Sequence, residues 1–135
     1  MIKELIESVF FYTYPKKKDA TICITEKFHT GTFQLHDNHA CISCRYQQFF
    51  PCERVNIILS SDSTASEISI AEVLDYVENF KEENADFLVE NSHTIAFIEL
   101  TCSETLRVDG EHGKRNKAIS QLRSTIEYFR LIINS

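Results

Sequence analysis

The chain has 135 residues, of which 43% are hydrophobic and 25% are charged, and its formal net charge at pH 7 is −6. This length and composition predict one globular domain over residues 1–135 and argue against a disordered or multidomain protein. The negative charge is not that of a protein that coats nucleic acid, and no stretch approaches the roughly 20 apolar residues of a membrane-spanning helix.

The first residues and the cysteine count bear on where the protein works. Acids at Glu4 and Glu7, with no long apolar core and no small-residue cleavage site, argue against a secretory signal peptide. Five cysteines are an odd number, which favours reduced thiols over a disulfide framework. The sequence therefore predicts a cytoplasmic protein that does not associate with a membrane.

In the first half of the chain, apolar periodicity predicts one helix and several short strands. Residues 2–11 have helical spacing. Residues 20–26 alternate and are β-branched, so they predict a strand that turns at residues 29–31 and pairs with residues 32–35. After an irregular stretch, residues 55–59 predict a short buried strand, and the polar residues 60–66 predict a turn.

The second half predicts a helix, a hairpin and a long final helix. Thr64 with Glu67 and Ser69 with Glu72 both fit a capping box, ahead of an amphipathic helix over residues 70–83. Strands are expected at residues 86–89 and 95–101, joined by a tight turn. The final helix, over residues 114–133, has a predicted buried face of Ala118, Ile119, Leu122, Ile126, Phe129 and Ile133. These interleaved elements predict an α/β or α+β fold in which helices flank a central mixed sheet.

The predicted hairpin and the final helix carry the residue types that suit metal-assisted chemistry. Asp86 opens the first strand and Glu99 lies near the end of the second, so an antiparallel pairing places both at one end of the sheet. Such hard oxygen ligands suit Mg²⁺ or Mn²⁺, which can activate a water for attack on a phosphodiester. One stripe of the helix is polar, with members at helical spacing: Lys117, Gln121, Ser124 and Tyr128.

This strand–turn–strand–helix unit, residues 84–133, resembles the PD-(D/E)XK restriction-endonuclease-like nuclease superfamily. In that family an acid opens one strand, an apolar strand ends in Glu-x-Lys, and a helix with basic and Gln residues follows. The resemblance implies a restriction-endonuclease-like core and a divalent-metal-dependent nuclease acting on DNA or RNA. It implies Asp86 and Glu99 as catalytic metal ligands, with Lys117 and Gln121 as further catalytic residues. Thr101 stands at the position of the family's lysine, so Lys117, or else Lys114, would supply the cation.

The alternative is a non-catalytic binding or assembly module built on an inactive relative of that fold. Residues 107–130 carry six basic side chains against three acidic ones and predict a basic edge. Residues 46–50 are rich in aromatic side chains. Ten Phe and five Tyr are many for one small core, so a homodimer interface is also expected.

Two further groups of residues bear on chemistry. A structural Zn²⁺ site is one interpretation of the segment that begins at His36, because two of its cysteines have the two-residue gap that suits one tetrahedral ion. Its candidate ligands are His36, His39, Cys41, Cys44 and Cys52. A cysteine nucleophile at Cys102 with His112 is the other hypothesis.

Overall fold

The computed structural model describes residues 2–36, 56–78, 80, 84–100 and 114–134. Helices and strands alternate in groups along these ranges. In chain order they are helix α1 (an α-helical turn at Ile2–Leu5, a π-helical turn at Ile6–Phe10 and an α-helical turn at Phe11–Thr13), strand β1 (Glu26–His36), strand β2 (Asn56–Ser69), helix α2 (Ile70–Asp75), strand β3 (Phe87–Glu90), strand β4 (Ile95–Ile98), helix α3 (Lys114–Tyr128) and helix α4 (Arg130–Ile133).

The described strands form one sheet in the order β1-β2-β3-β4. Each neighbouring pair is antiparallel, with Phe33 opposite Leu59, Ile68 opposite Leu88, and Leu88 opposite Phe97. The general prediction of a sheet combined with helices is confirmed. The predicted mixed sheet is wrong for these strands, because each follows its neighbour through a connection that reverses the chain direction.

Strand β1 runs through the place where a hairpin turn was predicted. Its register against β2 shifts between His29 and Gly31, and Gly31 has a φ of 76°. Glycine adopts this left-handed conformation without steric cost, so the chain forms a bulge inside one long strand instead of turning back. The predicted strand at residues 20–26 is also wrong. Part of its backbone instead bonds to side chains at the two ends of α2: Tyr76 Oη, just past the helix, contacts Cys23 N and O at 3.1 Å, and Glu72 Oε1 accepts from Thr25 N at 2.6 Å.

Strand β2 extends through the polar stretch that was predicted to be a turn. Serine hydroxyls of this stretch bond to side chains of β1 and of the next hairpin, as in the Thr32–Ser60 contact of 2.9 Å and the Asn91–Ser61 contact of 3.0 Å. The cap predicted at Thr64 is therefore wrong, whereas the one at Ser69 is confirmed. Ser69 Oγ accepts from Glu72 N at 3.4 Å.

Helix α2 is shorter than predicted, because it ends at Asp75 rather than near residue 83. Beyond it the backbone bonds to the segment that follows α1. Lys17 N donates to Tyr76 O at 2.7 Å, and Lys16 and Val77 form an isolated β-bridge. Residues 15–17 thus take up backbone groups that a longer helix would have paired internally.

The helices and one face of the sheet share the larger hydrophobic core. At its centre the rings of Phe10 and Phe129 stack with centroids 4.7 Å apart, so α1 packs on the junction of α3 and α4. The predicted buried face of the final helix is partly wrong. Ile119, Ile126 and Ile133 are 41%, 44% and 38% exposed. Phe129 is buried as predicted, and the other buried side chains are Thr125, Tyr128 and Ile132.

Candidate functional site

The hairpin predicted to carry the acidic pair is confirmed. Phe87 pairs with Ile98 and Glu90 with Ile95 in an antiparallel register. The turn is held by Asn91, whose Oδ1 accepts from the backbone N–H groups of His93 and Thr94 at 2.9 Å. An Asn side chain bonding to the backbone two and three residues on is a common way to stabilise a tight turn. The hairpin therefore has a fixed closed end, and Asp86 and Glu99 flank its open end.

Asp86 lies at the junction of three elements. Its N–H donates to Ile98 O at 2.9 Å, and its own carbonyl accepts from Ile70 N, the first residue of α2, at 3.1 Å. Its carboxylate Oδ2 accepts from Leu100 N at 2.7 Å. That amide belongs to the peptide joining Glu99 to Leu100, so the Asp86 carboxylate lies beside the backbone of Glu99.

Glu99 occupies the position next to Ile98, one residue past the end of β4. Phe87 is opposite Ile98, so Asp86 and Glu99 are the next two residues outward along the hairpin. The Glu99 side chain is half-buried, and its Oε2 atom is screened from solvent. Burying a carboxylate is costly in free energy, which makes this a chemically distinctive position in the described chain.

Helix α3 contacts the residues immediately before Asp86. Gln121 Nε2 donates to Asn84 O at 3.3 Å. Thr125 Oγ1 accepts from Ala85 N at 2.7 Å and donates to Gln121 O at the same distance. Two polar residues of the helix therefore fix the approach of the chain to the acidic pair. Thr125 was missed in the sequence, where only its helical spacing of four from Gln121 pointed to this role.

The other members of the predicted polar stripe are in different surroundings. Lys117 is exposed, one helical turn before Gln121, and Ser124 is half-buried. Tyr128 is buried, and its ring packs against Phe80 with centroids 4.9 Å apart. Of this stripe, Gln121 thus contacts the segment before Asp86, and Tyr128 lies in the hydrophobic core.

We predict that Thr125→Val lowers the free energy of unfolding by about 1–3 kcal/mol, because Val keeps the shape but leaves the buried Ala85 N–H without its acceptor. Urea denaturation followed by circular dichroism measures the change. The same substitution at exposed Thr13 is the control and should change stability by less than about 0.5 kcal/mol. Equal effects at the two sites would show that the Thr125 hydroxyl does not hold this segment.

The described residues contain no group of three or more His, Cys, Asp or Glu side chains placed to hold a metal ion. Asp86 and Glu99 are two carboxylates at the open end of the hairpin, and they stay the predicted ligands of a cation there. Mg²⁺ commonly binds proteins in this way, through one or two carboxylates with several waters retained.

Several predicted residues lie outside the described residues. They are the zinc candidates His39, Cys41, Cys44 and Cys52, the motif position Thr101, the pair Cys102 and His112, and the aromatic segment at residues 46–50. His36 ends β1, and Lys114 begins α3. Among the helices that the structure describes, none is long and apolar enough to cross a membrane.

The chain matches no protein-family model, no curated protein and no solved structure. The resemblance to the nuclease superfamily stays a prediction from the sequence pattern of residues 84–133.

Proposed function

We propose that the protein is a divalent-cation-dependent nuclease-like domain that acts on DNA or RNA phosphodiesters. The observation that carries the proposal is the hydrogen bond from Leu100 N to the Asp86 carboxylate, which places one acid beside the backbone of the other. The Asp86 and Glu99 carboxylates bind the cation, Mg²⁺ or Mn²⁺, whose hard character suits oxygen ligands.

In the proposed chemistry, the cation would activate the water, and two residues of helix α3 stabilise charge and position the reacting groups. A divalent cation held by Asp86 and Glu99 would supply Lewis-acid chemistry, which would lower the pKa of a coordinated water and polarise a phosphoryl oxygen. Lys117 stabilises the negative charge that develops on the phosphoryl group as the water attacks. Gln121, whose amide contacts Asn84 O, positions the segment that carries Asp86 and orients the phosphate or the water.

The experiment that tests this function is incubation of the full chain with supercoiled plasmid and with single-stranded DNA and RNA in Mg²⁺, Mn²⁺ or EDTA. We expect cleavage with either cation and none with EDTA. A direct binding titration with Mn²⁺, followed by its electron paramagnetic resonance signal, separates cation binding from cleavage. Absence of cleavage on every substrate would contradict the enzyme proposal.

A second candidate function, a non-catalytic assembly module that forms a homodimer, is favoured by the surface of the C-terminal helices. Ile119, Ile126 and Ile133 lie seven residues apart, and each is more than a third exposed. Ile119 and Ile126 lie along one side of α3, and Ile133 continues the seven-residue spacing on α4, after the break at Phe129. Apolar side chains at this spacing are the pattern by which helices pair. We propose that this isoleucine stripe meets the same stripe of a second copy.

We expect Ile126→Glu to weaken such a dimer on the order of 100-fold, because each copy loses an apolar contact and places a charge in the interface. Sedimentation equilibrium over a range of protein concentrations measures the dissociation constant. Ser120→Glu is the control, because it adds the same charge to the same helix at an exposed residue outside the isoleucine stripe. This variant should dimerise like the wild type. A monomeric wild type would contradict the assembly proposal and leave the nuclease proposal unaffected.

A further inference from the structure

A cavity of about 220 Å³ lies on the face of the sheet opposite the helices. Leu88 and Phe97 pack into the core beneath the helices, whereas Val89 and Ile98 belong to a second hydrophobic cluster. Successive residues of a strand point to opposite faces, so the two clusters lie on the two sides of the sheet. The cavity is on the second side and draws its residues from all four strands and the β3–β4 turn: Phe33, Leu59, Ser60, Ser61, Ala65, Val89, Asn91, Thr94, Ala96 and Ile98.

Small side chains in the sheet create the depth of this cavity. Ala96 lies opposite Val89 in the hairpin, and Ala65, which is 1% exposed, lies opposite His29 of β1. Phe33 forms part of the wall, and its ring stacks on the imidazole of His29 with centroids 4.2 Å apart. His29 in turn contacts Glu67 at 2.8 Å. Phe33 is therefore supported by His29 and Glu67, neither of which lines the cavity.

The rim is polar but uncharged, and its geometry is fixed before any ligand arrives. Asn91 Nδ2 donates to Ser61 Oγ at 3.0 Å, and Ser61 Oγ donates to Ser63 O at 2.7 Å. Thr94 is exposed at the same edge. None of the ten described residues that line the cavity is charged, so an ionic ligand would lose its hydration there without a compensating partner.

We propose that this cavity binds a neutral, mostly apolar small molecule, a bicyclic aromatic ring system with one hydroxyl group directed to the Asn91–Thr94 rim. The volume supports this size, because a dry protein cavity of about 150 Å³ holds benzene. The lining supports the chemistry, because six of its ten residues are apolar and four are polar, a combination that suits an apolar ring system carrying one polar group. The lining contains none of Asp86, Glu99, Lys117 and Gln121, so this site is distinct from the proposed phosphodiester site.

The test uses a matched pair of probes, neutral 2-naphthalenemethanol and anionic 2-naphthoate. Methyl-labelled full-length protein is titrated with each probe and followed by nuclear magnetic resonance. We expect saturable binding of the alcohol with shifts concentrated on the methyl groups of Ala65, Val89, Ala96 and Ile98, and binding of the carboxylate weaker by about tenfold or more. Equal binding of the two probes, shifts spread over other surfaces, or no saturable binding would overturn the proposal.

Variants that fill the cavity test the location. Ala96→Leu should weaken binding of the alcohol by about tenfold or more, because the added side chain occupies the ligand volume. Ala71→Leu, the same substitution on the exposed face of α2, should bind like the wild type. If Ala96→Leu does not fold, Thr94→Val is the second test. It should weaken binding of the alcohol, whose hydroxyl group loses a rim partner, and leave binding of unsubstituted naphthalene unchanged. If the alcohol binds to the folded Ala96→Leu variant, or failing that to Thr94→Val, as tightly as to the wild type, the proposed binding site in this cavity is wrong.

Discussion

Asp86→Asn is expected to lower the rate of Mg²⁺-dependent cleavage on the order of 10²- to 10³-fold. A bound cation supplies several kcal/mol of transition-state stabilisation, and each 1.36 kcal/mol corresponds to a factor of ten. The amide oxygen of Asn can still accept the hydrogen bond from Leu100 N, so the end of the hairpin keeps its backbone geometry. The substitution therefore removes the charge that binds the cation and preserves the structural contact.

Glu99→Gln is expected to have a loss of similar size, and the double variant should be little worse than either single one, because both remove the same cation. The controls are Asp75→Asn and Glu78→Gln, which neutralise exposed acids near the end of α2. Both controls should cleave like the wild type. Full activity in Asp86→Asn or in Glu99→Gln, with the fold intact by circular dichroism, would contradict the proposed cation site.

Phe129→Ala is expected to lower the free energy of unfolding by about 3–5 kcal/mol, the usual cost of emptying a buried aromatic site. Phe129 is 0% exposed. Its ring stacks on Phe10 at 4.7 Å and contacts Phe97 at 5.7 Å, so it joins α1, the sheet and the C-terminal helices. Total stabilities of about 5–15 kcal/mol are usual for proteins, and the loss would be a large fraction of that.

The measurement for Phe129→Ala is the midpoint of urea denaturation, with the dependence on denaturant compared between variants. Ile126→Ala is the matched control, because it truncates an apolar side chain of the same helical region that is 44% exposed. The control should lose less than about 1 kcal/mol as a monomer. A comparable small loss for Phe129→Ala would show that the aromatic stack does not hold the helices together.

The sequence predicted elements well where apolar periodicity and local turn chemistry agree. The β3–β4 hairpin needed only two apolar runs and the turn at Asn91, and helix α2 begins at the cap formed by Ser69. The start of strand β2 was predicted as the strand at residues 55–59, but its continuation was missed because the Ser-rich middle is typical of a turn when it is considered alone. Pairing with β1, and with β3 from Ser66 onward, overrides that local preference, as tertiary context often does.

The orientation of helix α3 was missed for a different reason. A count of apolar residues favours burying Ile119 and Ile126, but Thr125 takes a fully buried place because its hydroxyl satisfies two backbone groups. Hydrophobic periodicity carries no information about such hydrogen bonds. The acidic pair was predictable as a pattern of residue types along a hairpin, whereas its link to Gln121 and Thr125 depends on distant parts of the chain meeting.

The stacking of Phe10 on Phe129 sets an order of events during synthesis. While a ribosome is still adding residues to the C-terminal helices, α1 has already emerged and its apolar side has no aromatic partner from that region. Contacts between such distant positions form late, because the chain loses the entropy of closing a long loop before the contact can stabilise the fold. The apolar side of α1 therefore stays exposed to other proteins until the ribosome has added Phe129, more than a hundred residues later.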